Sequence, residues 1–565
     1  FDEVNRAAFR ALGVSFDLFT STHTPVHERT VQEVFLALLR GGYVDRRTEE
    51  YAYCPKHARF LPDRYVNGEC PNCGNPGARG DECDRCGRIL QPRELLHPVC
   101  ALDGTPAEFR PSEHFFLRLD KLAPAVEHYL ADKDRWRDNV LAFTRNFQKG
   151  GLRPTPITRD LDWGVPIPLD GYPTKVFYVW FEAVIGYLSA AREWALRTGQ
   201  PDAWHRFWDP AAPVRAYYFV GKDNIYYHTI FWPAMLLGVG DLQLPYDVPA
   251  NEWLVLDGGK LSKSRSPSEE VSLPALLERY PPDVIRFYAA LLAPERHDTE
   301  FQWSEFRQVT EQVLANQWGN LVQRLLVFVR DQYGGKVPSG AAVSAEFRTS
   351  LLAAHERIAR AYEAVRLKEA LEIALEEVRA ANRRFHEAKP WASAEPERLR
   401  AVAEGLAFVK AAAVWLAPVL PHSADSVFRM LGYAHGPAPG TWGAALEPPP
   451  EGQKLGEVKP LYPNPALERT PRVEPAGTPA PAPTGAGTGG VDRPVPLEIR
   501  AGEVLSVAPH PSADRLYQLE VDLGEHGQRT VVAGLRPYLQ PSALQGQRVL
   551  LLANLKPRTI RSVTS

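Results

Sequence analysis

The six cysteines of the chain lie in one short stretch, and this clustering constrains the fold more than any other feature. They occupy positions 54, 70, 73, 83, 86 and 100 of 565 residues. Two CxxC turns can each give a tetrahedral Zn²⁺ two thiolates. We therefore predict a small metal-held unit over residues 51–115, with a structural zinc ion; unbound thiols are the alternative. The predicted zinc ligands are Cys70, Cys73, Cys83 and Cys86.

A second, weaker pattern flanks the paired CxxC motifs. Cys54-Pro-Lys-His57 precedes them, and Cys100-Ala-Leu-Asp103 follows them. Cysteine, histidine and aspartate are all zinc ligands, so Cys54, His57, Cys100 and Asp103 can make a second site. A decayed site with spare cysteines fits the same pattern.

Composition sets the broad class of the chain. Hydrophobic residues make up 44% and charged residues 24% of the sequence, as in soluble globular proteins. No apolar run is long enough for a bilayer, no signal peptide opens the chain, and three or four domains are expected from its length. The net charge is −3, from 65 basic and 68 acidic residues, so nucleic-acid binding requires local basic patches.

Strand-to-helix patterns indicate an α/β part. FDEVNRAAFRALG has helical periodicity and ends at Gly13, and VSFDLFTSTH (14–23) predicts a strand. VFYVWFEAVIGYLSAA, from 176, and RAYYFVGKDNIYYHTIFWPAMLLG (215–238) each predict a buried strand followed by a helix. Such βα units predict a parallel sheet with its ligand beyond the C-terminal ends of the strands.

The rest of the chain divides into three stretches. Residues 305–435 have nearly continuous helical periodicity and predict a bundle. Residues 446–494 contain PPPEG and TPAPAPTGAGTGG, which are typical of a linker. Residues 495–565 contain four alternating segments and predict a small β-barrel of oligonucleotide-binding type.

Several motifs together resemble the methionyl-tRNA synthetase family, which belongs to the class I aminoacyl-tRNA synthetases. They are FVGKDNIYYHTIFWPAML (219–236), YVWFEAVIGY (178–187), GGKLSKSRS (258–266), the cysteine-rich FLPDRYVNGECPNCG, and NLVQR with ANRRFHEAKPW. Leu261 stands where the family has methionine, and Val184 where it often has proline. The family's His-x-Gly-His signature is absent, and the sequence stops at RTIRSVTS, before the final strand expected for the barrel. We therefore expect a chain that lacks segments at both ends.

The resemblance implies a Rossmann-type nucleotide-binding domain of class I, without its first part, and further domains. The implied order is the end of the first Rossmann half (1–25), a connective insert (26–175) with the zinc knuckle (51–115), the second Rossmann half (176–250), a KLSKS-bearing stem-contact region (251–305), an α-helical anticodon-binding domain (306–445), the linker (446–494) and an incomplete OB-type tRNA-binding barrel (495–565).

For the reaction, the resemblance implies that methionine and ATP form methionyl-adenylate and pyrophosphate, with Mg²⁺ accompanying ATP. This chemistry needs alignment and charge stabilisation more than covalent help. Lys260 and Lys263 match the pair that neutralises the triphosphate, and Ser262 and Ser264 can hydrogen-bond phosphate oxygens. Gly258 and Gly259 would give the loop the conformational freedom to close. Without the other motifs, a solvated basic loop is the simpler interpretation.

For methionine, the resemblance implies a pocket lined by rings, since a thioether gains about 0.3–1.5 kcal/mol from a good sulfur–ring contact. Asp223 is expected to bind the ammonium group, although a helix N-cap role is compatible with its position. The aromatic positions alone would indicate ordinary core. The implied pocket residues are Trp180, Ala183, Tyr187, Asp223, Asn224, Tyr227, His228 and Trp232.

For tRNA, the resemblance assigns Asn320, Arg324 and Trp391 to the CAU anticodon. Asn320 and Arg324 are four residues apart and share a helix face, and Trp391 offers a ring for stacking. Alone, Trp391 indicates a bundle cap. Lys556, Arg558 and Arg561 can add non-specific affinity.

The predicted function is therefore that of a methionine–tRNA ligase, acting in the cytoplasm on methionine, ATP and tRNA(Met), without a membrane. A homodimer through the barrel is a further expectation. We expect the chain by itself to be poorly active in adenylation, since the absent histidines hold the ATP phosphates in the family. The alternatives are a class I synthetase for leucine, isoleucine or valine, and a non-catalytic tRNA-binding protein.

Overall fold

The computed structural model describes most of the chain and divides it into two compact units. The described residues are 2–88, 90–256, 259–260, 272–340, 342–438, 440, 442–462, 499–511, 516–536, 539–552, 559–560 and 563–564. The first unit is Phe1–Pro471 and the second is Arg472–Ser565. Within the described part of the chain, none of the helices has the length and apolar character needed to cross a membrane.

The first unit begins with two helices and the insert that carries the cysteines. Thr24 caps the second helix by accepting from the backbone N–H of His27, with Pro25 at the first position. Strands β1 and β6 form a long antiparallel pair, in the sheet order β2-β1-β6-β7, and β3 pairs with β4 and β5. The elements are α1 (Asp2–Ala11), α2 (Pro25–Arg40), β1 (Val44–Cys54), β2 (Arg59–Phe60), β3 (Val66–Glu69), β4 (Ala78–Arg79), β5 (Leu96–Cys100), β6 (Glu108–Leu117), α3 (Leu119–Leu130), α4 (Asp138–Lys149) and β7 (Thr155–Pro156).

The α/β part follows the insert. Its parallel pairing joins β10 to β11 and β12 to β14, and the rings of Phe35, Phe115 and Phe177 meet in its core. The predicted strand at 176 exists as β9, but it pairs antiparallel with β8. The expectation that it joins the parallel sheet was wrong. The elements are β8 (Thr158–Asp160), β9 (Lys175–Phe177), α5 (Val179–Arg197), α6 (His205–Trp208), β10 (Val220–Gly221), a π-helical turn (Tyr227–Phe231), α7 (Trp232–Val239), β11 (Ala250–Asn251), β12 (Leu254–Leu256), β13 (Gly259–Lys260), α8 (Leu273–Arg279), α9 (Pro282–Leu291) and β14 (Thr299–Glu300).

The strand predicted at 14–23 was also wrong. These residues are irregular and pair with no strand in the described ranges. Their alternating apolar residues instead gather into a local cluster, in which the ring of Phe9 lies 5.6 Å from Phe16 and 5.9 Å from Phe19. Alternation alone cannot make a strand when no neighbouring strand supplies the hydrogen bonds.

The helical bundle predicted between 305 and 435 is confirmed. Its core contains Trp318, Phe408 and Trp415, each nearly inaccessible to solvent. Ser344 caps α12 by accepting from the backbone N–H of Phe347. The elements are α10 (Trp303–Val309), a π-helical segment (Thr310–Gly319), α11 (Asn320–Gln332), α12 (Ala345–Glu363), α13 (Leu367–Ala388), α14 (Glu395–Leu416) and α15 (Pro421–Met430).

The second unit contains the four strands predicted for the tail. They form an antiparallel half-barrel sheet in the order β17-β16-β15-β18, around the buried residues Val504, Leu519 and Val521. A further strand pair joins β19 to β20. The elements are β15 (Ile499–Pro509), β16 (Tyr517–Asp522), β17 (Gln528–Ala533), α16 (Pro541–Leu544), β18 (Arg548–Leu552), β19 (Thr559–Ile560) and β20 (Val563–Thr564).

Candidate active site

Two helical faces bring most of the predicted pocket residues together. Trp180, Ala183 and Tyr187 lie at i, i+3 and i+7 of α5, so they share one face. Asn224, Tyr227 and His228 have the same kind of spacing around the π-helical turn. The rings of Trp180 and Tyr227 stack with centroids 4.4 Å apart and planes within 15°. The two faces therefore meet in the structure.

His228 sits between the two faces with a defined tautomer. Its Nδ1 lies 2.8 Å from the carbonyl oxygen of Asn224, which can only accept, so Nδ1 carries the proton. Nε2 then accepts the hydroxyl proton of Tyr187 at 2.7 Å. Burial lowers the pKa of His228 and raises the pKa of Tyr187 to about 12, so both are neutral at pH 7.

Tyr218 supports this pair, and sequence reasoning missed it. Its ring packs edge-on against Tyr187 at 4.7 Å, and its hydroxyl oxygen accepts from the indole of Trp232 at 3.3 Å. Trp232 is 1% exposed, so it lies one layer behind Tyr187 and His228. Tyr218 lies within the apolar run 216–220, two residues before β10, and nothing in that run signals this contact.

Asp223 is held by a partner that sequence reasoning also missed. Its Oδ1 accepts from the indole N–H of Trp253 at 2.6 Å. The neighbouring Lys222 is 2.8 Å from Glu252 and 2.6 Å from Asp298, and its ammonium lies 4.1 Å from the Trp253 ring centroid. These contacts join segments that are 30 or more residues apart, so the local sequence contains no trace of them.

A cavity of about 640 Å³ opens beside these residues. The stacked Trp180 and Tyr227 form part of its wall, with Asp223 and Asn224 beside them. Arg85 and Cys86 of the cysteine-rich insert also border it, which places one cysteine turn next to the candidate site. Of the predicted pocket residues, Ala183, Tyr187, His228 and Trp232 do not line this cavity. Ala183 and Tyr187 lie further along α5, and His228 follows Tyr227 in the π-helical turn. An aromatic wall beside a carboxylate suits a ligand with an apolar side chain and an ammonium group.

Strand β12, which leads into the lysine loop, starts beside the cavity. Trp253, which donates to Asp223, directly precedes β12, and β12 pairs antiparallel with β13 through Val255 and Lys260. The backbone of Lys260 is therefore placed one hairpin away from the cavity. Ser262, Lys263 and Ser264 lie outside the described residues.

The four CxxC cysteines have the geometry of a tetrahedral metal site. Their sulfur atoms all lie within 4.8 Å of one another, with Cys70 to Cys86 at 3.8 Å and Cys73 to Cys83 at 3.6 Å. Metal–sulfur bonds of about 2.3 Å in a tetrahedron give sulfur–sulfur edges of about 3.8 Å. Gly74 and Gly87 both have φ of +67°, which the tight turn after each pair requires. The cluster can hold a metal ion.

The second predicted cluster also converges. The ligand atoms of Cys54, His57, Cys100 and Asp103 lie within 4.8 Å of one another. Nδ1 of His57 is 3.2 Å from the Cys54 sulfur and 3.7 Å from the Cys100 sulfur. The backbone N–H of Gly104 donates to the carbonyl of Cys100 at 2.8 Å, the same closure that Gly74 and Gly87 make to Cys70 and Cys83.

The predicted anticodon residues lie together on the bundle. Asn320 and Arg324 are exposed on α11, and Trp391 follows α13 with half of its surface exposed. Phe385 lies between them, with its centroid 5.9 Å from the Arg324 guanidinium and 6.3 Å from the Trp391 ring. Lys556, Arg558 and Arg561 lie outside the described residues.

Comparisons with known proteins agree over nearly the whole chain. Residues 1–326 match the family described as "tRNA synthetases class I (M)", and residues 499–565 match "Putative tRNA binding domain". The methionine–tRNA ligase of Roseiflexus sp. (strain RS-1) is 44% identical over 444 residues, 76% of this chain and 75% of that protein. That of Methanopyrus kandleri is 37% identical over 577 aligned residues, 100% of this chain and 85% of that protein.

A solved structure supports the same family assignment. Mycobacterium tuberculosis methionyl-tRNA synthetase in complex with methionyl-adenylate superimposes with a TM-score of 0.64 at 25% identity, covering 82% of this chain and 85% of that one. The fold and the cavity at the ends of the parallel strands define a class I aminoacyl-tRNA synthetase. The match over residues 1–326 covers more than half of the chain, and the relatives above exceed 30% identity. The chain belongs to the methionyl-tRNA synthetase family.

Proposed function

We propose that this chain activates methionine with ATP and transfers the methionyl group to tRNA(Met). The observation that carries the proposal is the cavity walled by Trp180 and Tyr227 beside the Asp223 carboxylate. A sulfur-bearing side chain fits against polarisable rings, and an ammonium group fits a carboxylate. Charging tRNA would place the protein in the cytoplasm, where translation occurs.

The neutral pair of Tyr187 and His228 sets the shape of the methionine site. Because His228 is neutral and its Nε2 already accepts a hydrogen bond, the pair offers no charge to the substrate. The thioether of methionine needs no charged partner, and the neutral pair disfavours amino-acid substrates with charged side chains. Ala183 leaves room on the α5 face, Asn224 borders the cavity, and Trp232 supports the site from behind.

For ATP, we assign charge stabilisation to the lysine loop. Lys260 and Lys263 would neutralise the leaving pyrophosphate, and Ser262 and Ser264 would donate hydrogen bonds to its oxygens. Mg²⁺, bound with ATP, would supply further neutralisation of the phosphates. The support is the sequence of the loop, together with the placement of its first strand beside Trp253.

For the cysteine-rich insert, we propose two structural zinc ions. Four thiolates at Cys70, Cys73, Cys83 and Cys86 leave no open coordination position, so the first ion has no catalytic role. The second set of Cys54, His57, Cys100 and Asp103 offers four ligand atoms in the same kind of turn.

For tRNA, we propose that Asn320, Arg324 and Trp391 bind the anticodon bases. An exposed ring, a guanidinium and an amide suit unstacked single-stranded bases. The second unit would add affinity for the tRNA backbone and can provide a homodimer contact through its sheet. Each of these roles is separable from the chemistry of the cavity.

The test is ATP–pyrophosphate exchange driven by single amino acids, run on this chain and on a longer version that carries the His-x-Gly-His signature. We expect the longer version to be the more active of the two, because the histidines of that signature hold the ATP phosphates in the family. The proposal predicts exchange with methionine, and at least about tenfold less exchange with leucine, isoleucine or valine. A difference of one methylene group or one sulfur atom changes the free energy of transition-state binding by about 1–3 kcal/mol. Exchange with leucine, isoleucine or valine instead would favour another class I synthetase. Binding of tRNA without exchange in either version would favour a non-catalytic tRNA-binding protein.

A further inference from the structure

Helix α13 runs from the parallel strands to the group around Trp391. Its 22 residues, Leu367–Ala388, span about 33 Å at 1.5 Å per residue. Near its C-terminal end, Phe385 contacts Arg324 and Trp391. A rod of this length places its N-terminal end far from the proposed anticodon site, and that end has its own set of contacts.

Arg137 connects the N-terminal end of α13 to strand β11. Its Nη1 donates to the carbonyl of Ala250 at 3.1 Å and to Oδ1 of Asn251 at 2.8 Å. Its Nη2 donates to the carbonyl of Val365, in the turn before α13, at 3.0 Å. The guanidinium side chain is only 16% exposed, so water competes little for these bonds.

Glu295 holds the first turn of α13 from the same place. Its Oε1 accepts from the backbone N–H groups of Leu367 at 3.0 Å and Lys368 at 3.2 Å, and lies 3.6 Å from Arg137. The first N–H groups of a helix have no partner within the helix, and a carboxylate there also interacts favourably with the helix dipole. Arg137 and Glu295 therefore form one junction between α13 and the α/β part.

From this junction the path to the cavity is short. Asn251 is followed by Glu252, which accepts from Lys222 at 2.8 Å and from Asn139 at 2.8 Å. The next residue, Trp253, donates to Asp223. A displacement of β11 at Asn251 would therefore move residues that border the cavity.

The turn at this junction is strained. Val365 has φ of +55°, a conformation that β-branched residues rarely adopt. The carbonyl that Arg137 holds belongs to this residue. Strain at a contact between two parts of a protein indicates that the surrounding structure imposes it.

We propose that Arg137 is a positioning residue that couples RNA at Trp391 to the order of the cavity wall at Glu252 and Trp253. Binding at the distal end of α13 favours one placement of the helix, and the junction passes this preference to β11. The inference rests on the proposed function, because it takes the RNA to bind at Trp391.

The test is hydrogen exchange on the full chain, with and without an RNA stem–loop that carries CAU in its loop. In the wild type we expect the RNA to slow exchange around 385–393, 365–370 and 250–256, by about fivefold or more in the last. In Arg137→Gln, the RNA should still slow exchange at 385–393 but should no longer slow it at 250–256. Arg135→Gln is the matched control, because Arg135 bonds to Tyr246 and Asp132 and not to α13.

If Arg137→Gln fails to fold, Glu295→Gln replaces it, since a glutamine oxygen still accepts from Leu367 and Lys368 but loses the charge opposite Arg137. In this variant too, the RNA should no longer slow exchange at 250–256. The proposal is overturned if either variant transmits as the wild type does, or if the wild type shows distal protection without a change at 250–256. Failure of the RNA to protect 385–393 in the wild type would refute the anticodon site, and this proposal with it.

Discussion

The hydroxyl of Tyr187 donates a 2.7 Å hydrogen bond to Nε2 of His228, whose Nδ1 donates to the carbonyl of Asn224. These two hydrogen bonds fix the tautomer of a histidine that is only 4% exposed. They also join α5 to the π-helical turn, the two elements whose faces form the candidate methionine site. Together with the stacked rings of Trp180 and Tyr227, this hydroxyl group holds the two faces in place.

Tyr187→Phe tests the contribution of this hydroxyl group. The change leaves the buried Nε2 of His228 without a donor, which costs about 1–3 kcal/mol. We expect the free energy of unfolding to fall by about that amount and methionine binding to weaken, measured by chemical denaturation and calorimetry. Tyr65→Phe, an exposed tyrosine of the insert, is the control and should change neither. Wild-type binding by Tyr187→Phe would show that the hydroxyl does not shape the site.

Acid should destabilise the fold through His27. Burial, with a smaller contribution from the charge of His23, lowers the pKa of His27 to about 4 from its usual 6.5. The unfolded chain therefore binds a proton between pH 6.5 and 4 that the folded chain does not, so stability falls as pH falls through this window. The loss from this group reaches about 3 kcal/mol at pH 4.

Denaturation of the wild type and His27→Gln across pH 7 to 4 checks this expectation. His27 bonds through Nδ1 to the hydroxyl of Ser189, and the glutamine keeps a polar group there without titrating. The pH slope of the free energy of unfolding should be smaller in the variant. Equal slopes would mean that His27 titrates alike in both states.

Metal content should separate the two cysteine clusters. We expect two zinc ions per chain by elemental analysis, with Cys83→Ser and Cys100→Ser each losing one. Chelation should unfold the insert, because metal binding and folding are coupled in small sites of this kind. One ion in the wild type, retained in Cys100→Ser, would show that the second cluster is not filled.

Lys263→Ala, made in the longer version that carries the His-x-Gly-His signature, tests the proposed role of the lysine loop. Removing one charge that stabilises the leaving pyrophosphate should lower the exchange rate about 10²–10³-fold, with methionine binding unchanged. Arg265→Ala removes a neighbouring charge of the same loop and serves as the control. A similar loss in both variants would indicate a general effect of positive charge, and no loss in Lys263→Ala would exclude its role.

Motif spacing and periodicity predicted the features that depend on residues close together in the sequence. The paired CxxC spacing predicted a cluster whose sulfur atoms do converge. Trp180 and Tyr187 were assigned from the family resemblance, and they lie on one face of α5. The bundle and the four strands of the tail followed from the same periodicities. In each case the signal lies within a few turns of helix or strand.

Contacts between distant segments were beyond the sequence. The bond from Trp253 to Asp223 spans 30 residues, and that from Arg137 to Val365 spans 228. Nothing near either residue signals its partner. The strand expected at 14–23 failed for the same reason, because a strand needs a neighbour that the local sequence does not show.

Titration of the full chain with L-methionine, beside Trp180→Ala, tests the central claim most directly. Trp180 stacks on Tyr227 and forms part of the cavity wall, so its loss should weaken methionine binding by about tenfold or more. Trp163→Ala, which removes an exposed ring elsewhere, should bind as the wild type does. The account predicts saturable binding at one site per chain that depends on Trp180. Binding of equal strength in Trp180→Ala, or no binding by the wild type, would contradict it.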